Sequence, residues 1–198
     1  MPDIKHFDPD AALEAVIRLF WKQGIAATGV QDVVDATGLN RSSLYATFGG
    51  KRRLYLTALK RYDERCSTPV LGQLAEDGRG LLAVTDFFSA LIEARCSGEY
   101  ARWGCMISNA HVGAENADPD IRAVLERQHR TLRASMVASL AVARSKGQLA
   151  PDTDLEAAGE LLALLAHGVN LRSRAGADPA ELHRAVTTAV TGLGVPRK

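Results

Sequence analysis

Residues 28–54 read TGVQDVVDATGLNRSSLYATFGGKRRL, and this stretch narrows the fold more than any other part of the chain. Val30, Val33 and Val34 recur at three- and four-residue spacing, so they line one face of a short helix. Thr28 and Gln31 have capping-box spacing, in which each side chain satisfies the other's free backbone N–H. Gly38 suits the left-handed position that ends a helix, with Leu39 as the apolar contact beyond it. Asn40 then caps a second helix, in which Leu44 and Phe48 turn inward. Arg41, Ser42, Ser43 and Tyr45 stay outside. Two short helices around a glycine turn, the second showing small polar and basic groups, are what entry into a major groove requires.

This segment resembles the DNA-binding domain of the tetracycline-repressor (TetR) family of bacterial transcription regulators. The resemblance rests on Phe20, Gly24, Thr28, Val30, Val33, Ala36, Gly38, Leu44, Tyr45, Phe48, Lys51 and Leu54, and it covers about the first third of the chain. Gly29 and Gly50 depart from it; Gly50 removes a capping side chain before Lys51, at a cost of a few tenths of a kcal/mol. The DNA-facing set is then Thr28, Gln31, Asn40, Arg41, Ser42, Ser43, Tyr45 and Lys51, with Thr28, Tyr45 and Lys51 as phosphate clamps. The resemblance implies a homodimeric repressor on a palindromic operator of double-stranded DNA, released by a small-molecule inducer.

The remaining pattern is helical throughout, giving an all-α chain of about nine helices. One helix runs from Pro9 to Gln23, capped by Asp8, with Leu13, Val16, Ile17 and Phe20 inward and Trp21 at the edge of the core. Another follows Lys51, with Tyr55, Ala58, Leu59 and Tyr62 inward. Ser67 to Gly80, with Pro69 and three glycines, reads as a helix end and linker. Helices are then expected over Leu81–Cys96, Trp103–Val112, from Asp118 and Pro119 to near Gly147, over Leu155–Arg174, and from Asp178 onward. The division is a helix-turn-helix domain at 1–50, a connecting helix at 51–66, and a ligand-binding and dimerisation domain at 67–198.

Charge supports the division. Residues 1–62 hold nine Lys or Arg against six acids, a net +3, and the rest of the chain balances at −2. Hydrophobic residues make up 46% and charged ones 24%, as in ordinary globular proteins. No apolar run is long enough to span a membrane, and Asp3, Asp8 and Asp10 precede the first helix where a signal segment would be basic then apolar. A cytoplasmic protein with no membrane partner is expected. Cys66, Cys96 and Cys105 suggest neither a disulfide framework nor a zinc site.

The last two long helices bear on assembly. A helix apolar all round must be buried, and two of them from each subunit make a four-helix seam. The seam is expected at Leu155, Ala158, Leu162, Leu165, Leu182, Val186, Ala189 and Val190. A ligand pocket is expected between the middle helices, lined by Phe87, Phe88, Leu91, Trp103, Met106, Asn109, His111, Leu132 and Leu165.

The sequence contains no GxSxG, phosphate-binding glycine loop, HExxH or CxxC, so neither catalysis nor a resident cofactor is expected. Glu126 and His129 have the spacing of a di-iron bundle, but the second pair that such a site needs is missing, and no metal is expected. An all-α enzyme or cofactor-binding bundle is the competing class, and it lacks a centre. Cys105 leaves two readings open, a buried residue packing against the long helix or a thiol sensor activated by a helix start and by Arg102, and a ligand-independent regulator is a further alternative.

Overall fold

Aspartates set where four of the helices begin. Asp8, Asp118, Asp154 and Asp178 each accept backbone N–H groups from the first turn that follows, and a proline stands next after three of them. In the computed structural model, which describes residues 8–195, these caps open α1 (Pro9–Gln23), α8 (Pro119–Ser145), α9 (Leu155–Arg174) and α10 (Pro179–Leu193). Between them lie α2 (Val30–Thr37), α3 (Arg41–Phe48), α4 (Lys51–Tyr62), α5 (Thr68–Glu76), α6 (Leu81–Cys96) and α7 (Met106–Val112). No strand occurs among the described residues. The outer ends of the first and last expected domains, residues 1–7 and 196–198, lie outside them.

Three local expectations are corrected. The cap of α2 is one residue further along than expected: the Gly29 N–H donates to Asp32 Oδ2 at 2.6 Å, while Gln31 bonds Asp35. The Thr28 hydroxyl turns inward instead and donates to the Gly24 carbonyl at 2.6 Å. Ser67 to Gly80 is not a linker. Asp63–Ser67 forms a single π turn that carries α4 into α5. A proline ring clashes with the carbonyl four residues back, which for Pro69 is Arg65, and the widened turn accommodates it. Leu71 and Leu74 then bury against α8, and Ser139 Oγ donates to the Leu74 carbonyl at 2.8 Å. Finally, α7 starts at Met106 rather than Trp103, because Gly104 sits at φ +67 and a side chain there would meet the Asn170 carbonyl.

Two apolar cores result. The first joins α1–α4 to α7 and the first half of α8 through Phe20, Leu44, Leu54, Tyr55, Ile107 and Leu125. The helix-turn-helix is therefore welded to the middle of the chain rather than hung on a connector. The second core packs α5, α6 and α10 against α8 and α9 through Leu74, Phe88, Met136, Leu162 and Val186.

The expected dimer residues need revision. Ala158, Leu162, Leu182, Val186 and Val190 are buried within the single chain, and Leu155, Leu165 and Ala189 are half-buried. The large apolar residues of α9 that face out are Leu161 and Leu164, 49% and 56% exposed. A helix that is apolar on two sides buries one against its own chain, and periodicity does not say which.

Candidate nucleic-acid interface and ligand chamber

The α2–α3 pair is set by its turns. Gly38 takes φ +68 and closes α2 onto the Val34 carbonyl, and the Asn40 side chain accepts the Ser43 N–H at 2.8 Å to start α3. Leu44 is the anchor at 1% exposure, packed with Val33 and Leu39 into the first core. Its burial aims Arg41, Ser42 and Tyr45 at solvent, with Ser43 half-buried. Gly50, at φ +111, lies beneath the Tyr45 ring, where a Cβ would come within 3.3 Å of it. α4 starts without a side-chain cap, as expected, and the glycine at this position also makes room for the Tyr45 ring.

Two expected phosphate clamps sit differently. Thr28 is 1% exposed, so its hydroxyl is an internal strut. Lys51 Nζ donates to the carbonyls of Ile25 and Thr28 at 3.0 and 2.8 Å, pinning the loop before α2 to the start of α4. Two of its three donors are thereby used. Gln31, Asn40 and Tyr45 remain exposed. Arg52 is taken up by an ion pair with Asp118 and by another with Asp120 at 2.6 Å, which leaves Arg41 and Arg53 as exposed cations near α3.

A cavity of about 460 Å³ lies between α5, α6, α8 and α9. Its apolar walls are Val70, Leu71 and Leu74 of α5, Phe87, Ala90, Leu91 and Ala94 of α6, and Leu132 of α8. Of the expected lining, Phe87, Leu91 and Leu132 are present; Phe88, Trp103, Met106, Asn109, His111 and Leu165 are not. Phe88 turns into the second core and Met106 into the first. The α5 wall was invisible while 67–80 read as a linker. Two polar sets line it as well, Arg95, Cys105, Ser108, Gln128, His167 and Asn170 in one and Gln73, Asp77, Arg79 and Asp86 in the other. Gln128 occupies a stripe position between Leu125 and Leu132, and a polar residue in an apolar stripe was the available signal for the first set.

The scattered histidines converge. His129 Nδ1 lies 3.3 Å from His167 Nε2, His167 Nδ1 is 2.9 Å from Ser108 Oγ, and the His111 ring meets His167 edge-on at 5.0 Å. Burial, then the proximity of His111 and His129, pushes the His167 pKa down to about 4. His129 pairs with Glu160 rather than being set beside Glu126, and no group of metal-ligating side chains able to hold an ion occurs among the described residues.

Cys105 is buried at 6% exposure and forms the N-cap position of α7, lining the cavity. The cation beside it is Arg95, not Arg102; the Arg102 side chain instead approaches Gly176 and Cys96.

Trp21 connects the two regions. Its indole N–H donates to the Gly104 carbonyl at 2.9 Å, and its ring packs against Tyr62, Tyr100 and Trp103, with the Arg95 guanidinium 5.6 Å from the ring centre. Arg174 of α9 adds bonds to the carbonyls of Trp21, Lys22 and Trp103 at 3.3, 3.0 and 2.8 Å. The end of α1 is thus clamped to the turn that leads into Cys105 on the cavity wall.

Comparison with known proteins agrees with this architecture. Residues 12–58 match the family model described as bacterial regulatory proteins, tetR family, and residues 80–189 match the tetracyclin repressor-like C-terminal domain. The chain is 30% identical over 175 residues to the HTH-type transcriptional repressor ComR of Escherichia coli, covering 88% of this chain and 83% of that protein. It is 33% identical over 159 residues to the uncharacterized HTH-type transcriptional regulator YezE of Bacillus subtilis, covering 80% and 81%. Its fold matches that of the TetR family regulator CifR, solved as a cysteine mutant with 26 bp operator DNA, at a TM-score of 0.82 and 22% identity over 94% of this chain and 97% of that one. No helix among the described residues is long and apolar enough to cross a membrane. The chain belongs to the TetR family, and is a helix-turn-helix DNA-binding transcription regulator.

Proposed function

We propose that this chain is an operator repressor rather than a catalyst, acts in the cytoplasm as a homodimer, and is released by a small molecule bound in the α5–α9 chamber. The observation that carries the reading is the outward face of α3, where buried Leu44 holds Arg41, Ser42 and Tyr45 at solvent on a helix started by Asn40. A dimer closed across Leu161 and Leu164 of α9 sets two such helices about 34–36 Å apart, one turn of DNA. A ligand acts by binding the released state more tightly than the operator-bound one. The Trp21–Gly104 bond and the Arg174 clamp are the connection through which chamber and α1 shift together. Gel-shift binding to the DNA upstream of the chain's own gene tests this: a sharp, competitor-resistant complex is expected, and binding no tighter than to random DNA would overturn it.

A thiol-triggered form of the same switch is favoured by one observation, the placement of Cys105 at the start of α7 beside Arg95 and on the cavity wall. Brief labelling with an electrophile followed by mass spectrometry separates it from a purely non-covalent switch. The thiol form expects Cys105 to be modified ahead of Cys66 and Cys96, with loss of operator binding.

A further inference from the structure

The chamber has a charge without a counter-charge. Arg95 lies near the end of α6 and lines the cavity. Its protein partners are all neutral: Nε donates to Asn170 Oδ1 at 2.8 Å, Nη2 to the Tyr62 hydroxyl at 3.4 Å, and the guanidinium lies over the Trp21 ring. Among the described residues it forms no ion pair with a carboxylate, and its Nη1 makes no hydrogen bond. The two acids that do line the cavity, Asp77 and Asp86, are both held by Arg79. Asp86 is nine residues back along α6 from Arg95, about 13 Å at the helical rise. A guanidinium half-sunk in a cavity wall with no anion beside it is costly, and an ionised partner offering two oxygens matches its planar fork.

Gln128 also lines the cavity at 6% exposure, and its Oε1 is buried without a hydrogen-bond partner. An amide oxygen only accepts, so it marks a polar stretch of wall, and the choice of an anion rests on Arg95. Apart from this group and the Arg79, Asp77 and Asp86 cluster with Ser67 and Gln73, the chamber offers a ligand hydrocarbon from Leu71, Leu74, Phe87, Leu91 and Leu132. Apolar walls, one set of charges already paired on Arg79 and one unpaired cation at Arg95 describe a site for an amphiphile with an anionic head.

We propose that the chamber's ligand is a monoanionic amphiphile, such as a medium-length carboxylate, with its acid group on Arg95 and Asn170 and its apolar body between α5 and α6. This rests on the chamber being the ligand site, and it selects the ligand's charge. Apolar burial alone does not discriminate among heads on one tail; the Arg95 pairing does.

Decanoate, decanol and decyltrimethylammonium share a tail and differ in head charge. Their binding to the full-length protein at pH 7.0 is read from the fluorescence of Trp21 and Trp103, with uptake of the neutral dye Nile red as an independent report on the chamber. The proposal expects decanoate to bind about ten-fold tighter than decanol or more, as charged hydrogen bonds do, with the quaternary amine weakest. Arg95→Gln should bring decanoate and decanol together, and Arg95→Lys should keep a preference for the acid. Equal binding of decanoate and decanol to the wild-type protein overturns the proposal, and that comparison stands even if Arg95→Gln does not fold. If Nile red enters and the acid has no advantage, the chamber reading survives and the anion assignment falls. If neither the dye nor any of the three binds, both fall.

Discussion

The indole nitrogen of Trp21 donates to the carbonyl of Gly104 across 83 residues of chain, joining the end of α1 to the turn that opens α7. Gly104 holds that turn at φ +67, pressed against the Asn170 carbonyl, so the acceptor cannot move without α9. The same Trp21 ring carries the Arg95 guanidinium on its other contacts. One side chain of the DNA-binding unit therefore touches both the turn before α7 and the cavity's cation.

Trp21→Phe keeps most of the buried ring and removes the bond to Gly104. A buried hydrogen bond contributes about 0.5–1.5 kcal/mol, and the orphaned carbonyl adds to the loss. We expect a folded protein with near-normal operator affinity and a weakened response to ligand. The ligand concentration for half-release in a gel shift measures this. Unchanged release would place the coupling in the Arg174 clamp instead.

Arg41 is exposed at the first position of α3, where a guanidinium can bind a guanine edge with two hydrogen bonds. Arg41→Ala should cost about 1–3 kcal/mol on the operator and relax preference at one base pair per half-site. Titration against the operator and against random DNA decides the matter. An equal loss on both would make Arg41 a phosphate contact only.

The α9 faces make opposite predictions. Leu161→Asp with Leu164→Asp adds charge to the exposed side, so sedimentation should show folded monomers with weak operator binding. Leu162→Ala, at 0% exposure inside the second core, should cost about 2–5 kcal/mol of stability while the protein still dimerises when folded. A dimer that survives the double substitution would move the seam elsewhere.

His167 makes stability pH-dependent. In the folded chain burial and the neighbouring histidines hold its pKa down to about 4, against about 6.5 for a free histidine. The unfolded chain therefore binds a proton that the folded chain refuses. This contribution is intact above pH 6.5, falls as the pH drops toward 4, and is flat below; its upper bound is about 3 kcal/mol. Urea midpoints at pH 7.5 and 4.5 should differ more for the wild-type protein than for His167→Gln. Equal slopes would mean that His167 is solvated.

Caps and short-range periodicity act within a few residues, which is why so much was legible without coordinates. Asp8, Asn40, Asp118 and Asp178 start their helices where expected, Leu44 is the recognition-helix anchor, and α4 turns Tyr55, Ala58, Leu59 and Tyr62 inward. The cap at Thr28 failed for an equally local reason, since Asp32 reaches the Gly29 N–H and releases Thr28 to bond Gly24. What tertiary structure alone decided depends on the rotation and crossing of whole helices. Leu161 and Leu162 are adjacent and equally apolar, and only the fit of α9 against α6 and α8 sends one out and the other in. Pro69 reads as a break until the π turn and the surface of α8 carry α5 past it. His111, His129 and His167 come from α7, α8 and α9, and Arg95, Gln128 and Asn170 from α6, α8 and α9. The convergence of the three histidines, and the meeting of His167, Arg95, Gln128 and Asn170 on the cavity wall, are properties of packing, because a helical stripe records which residues are buried and not which partner they face.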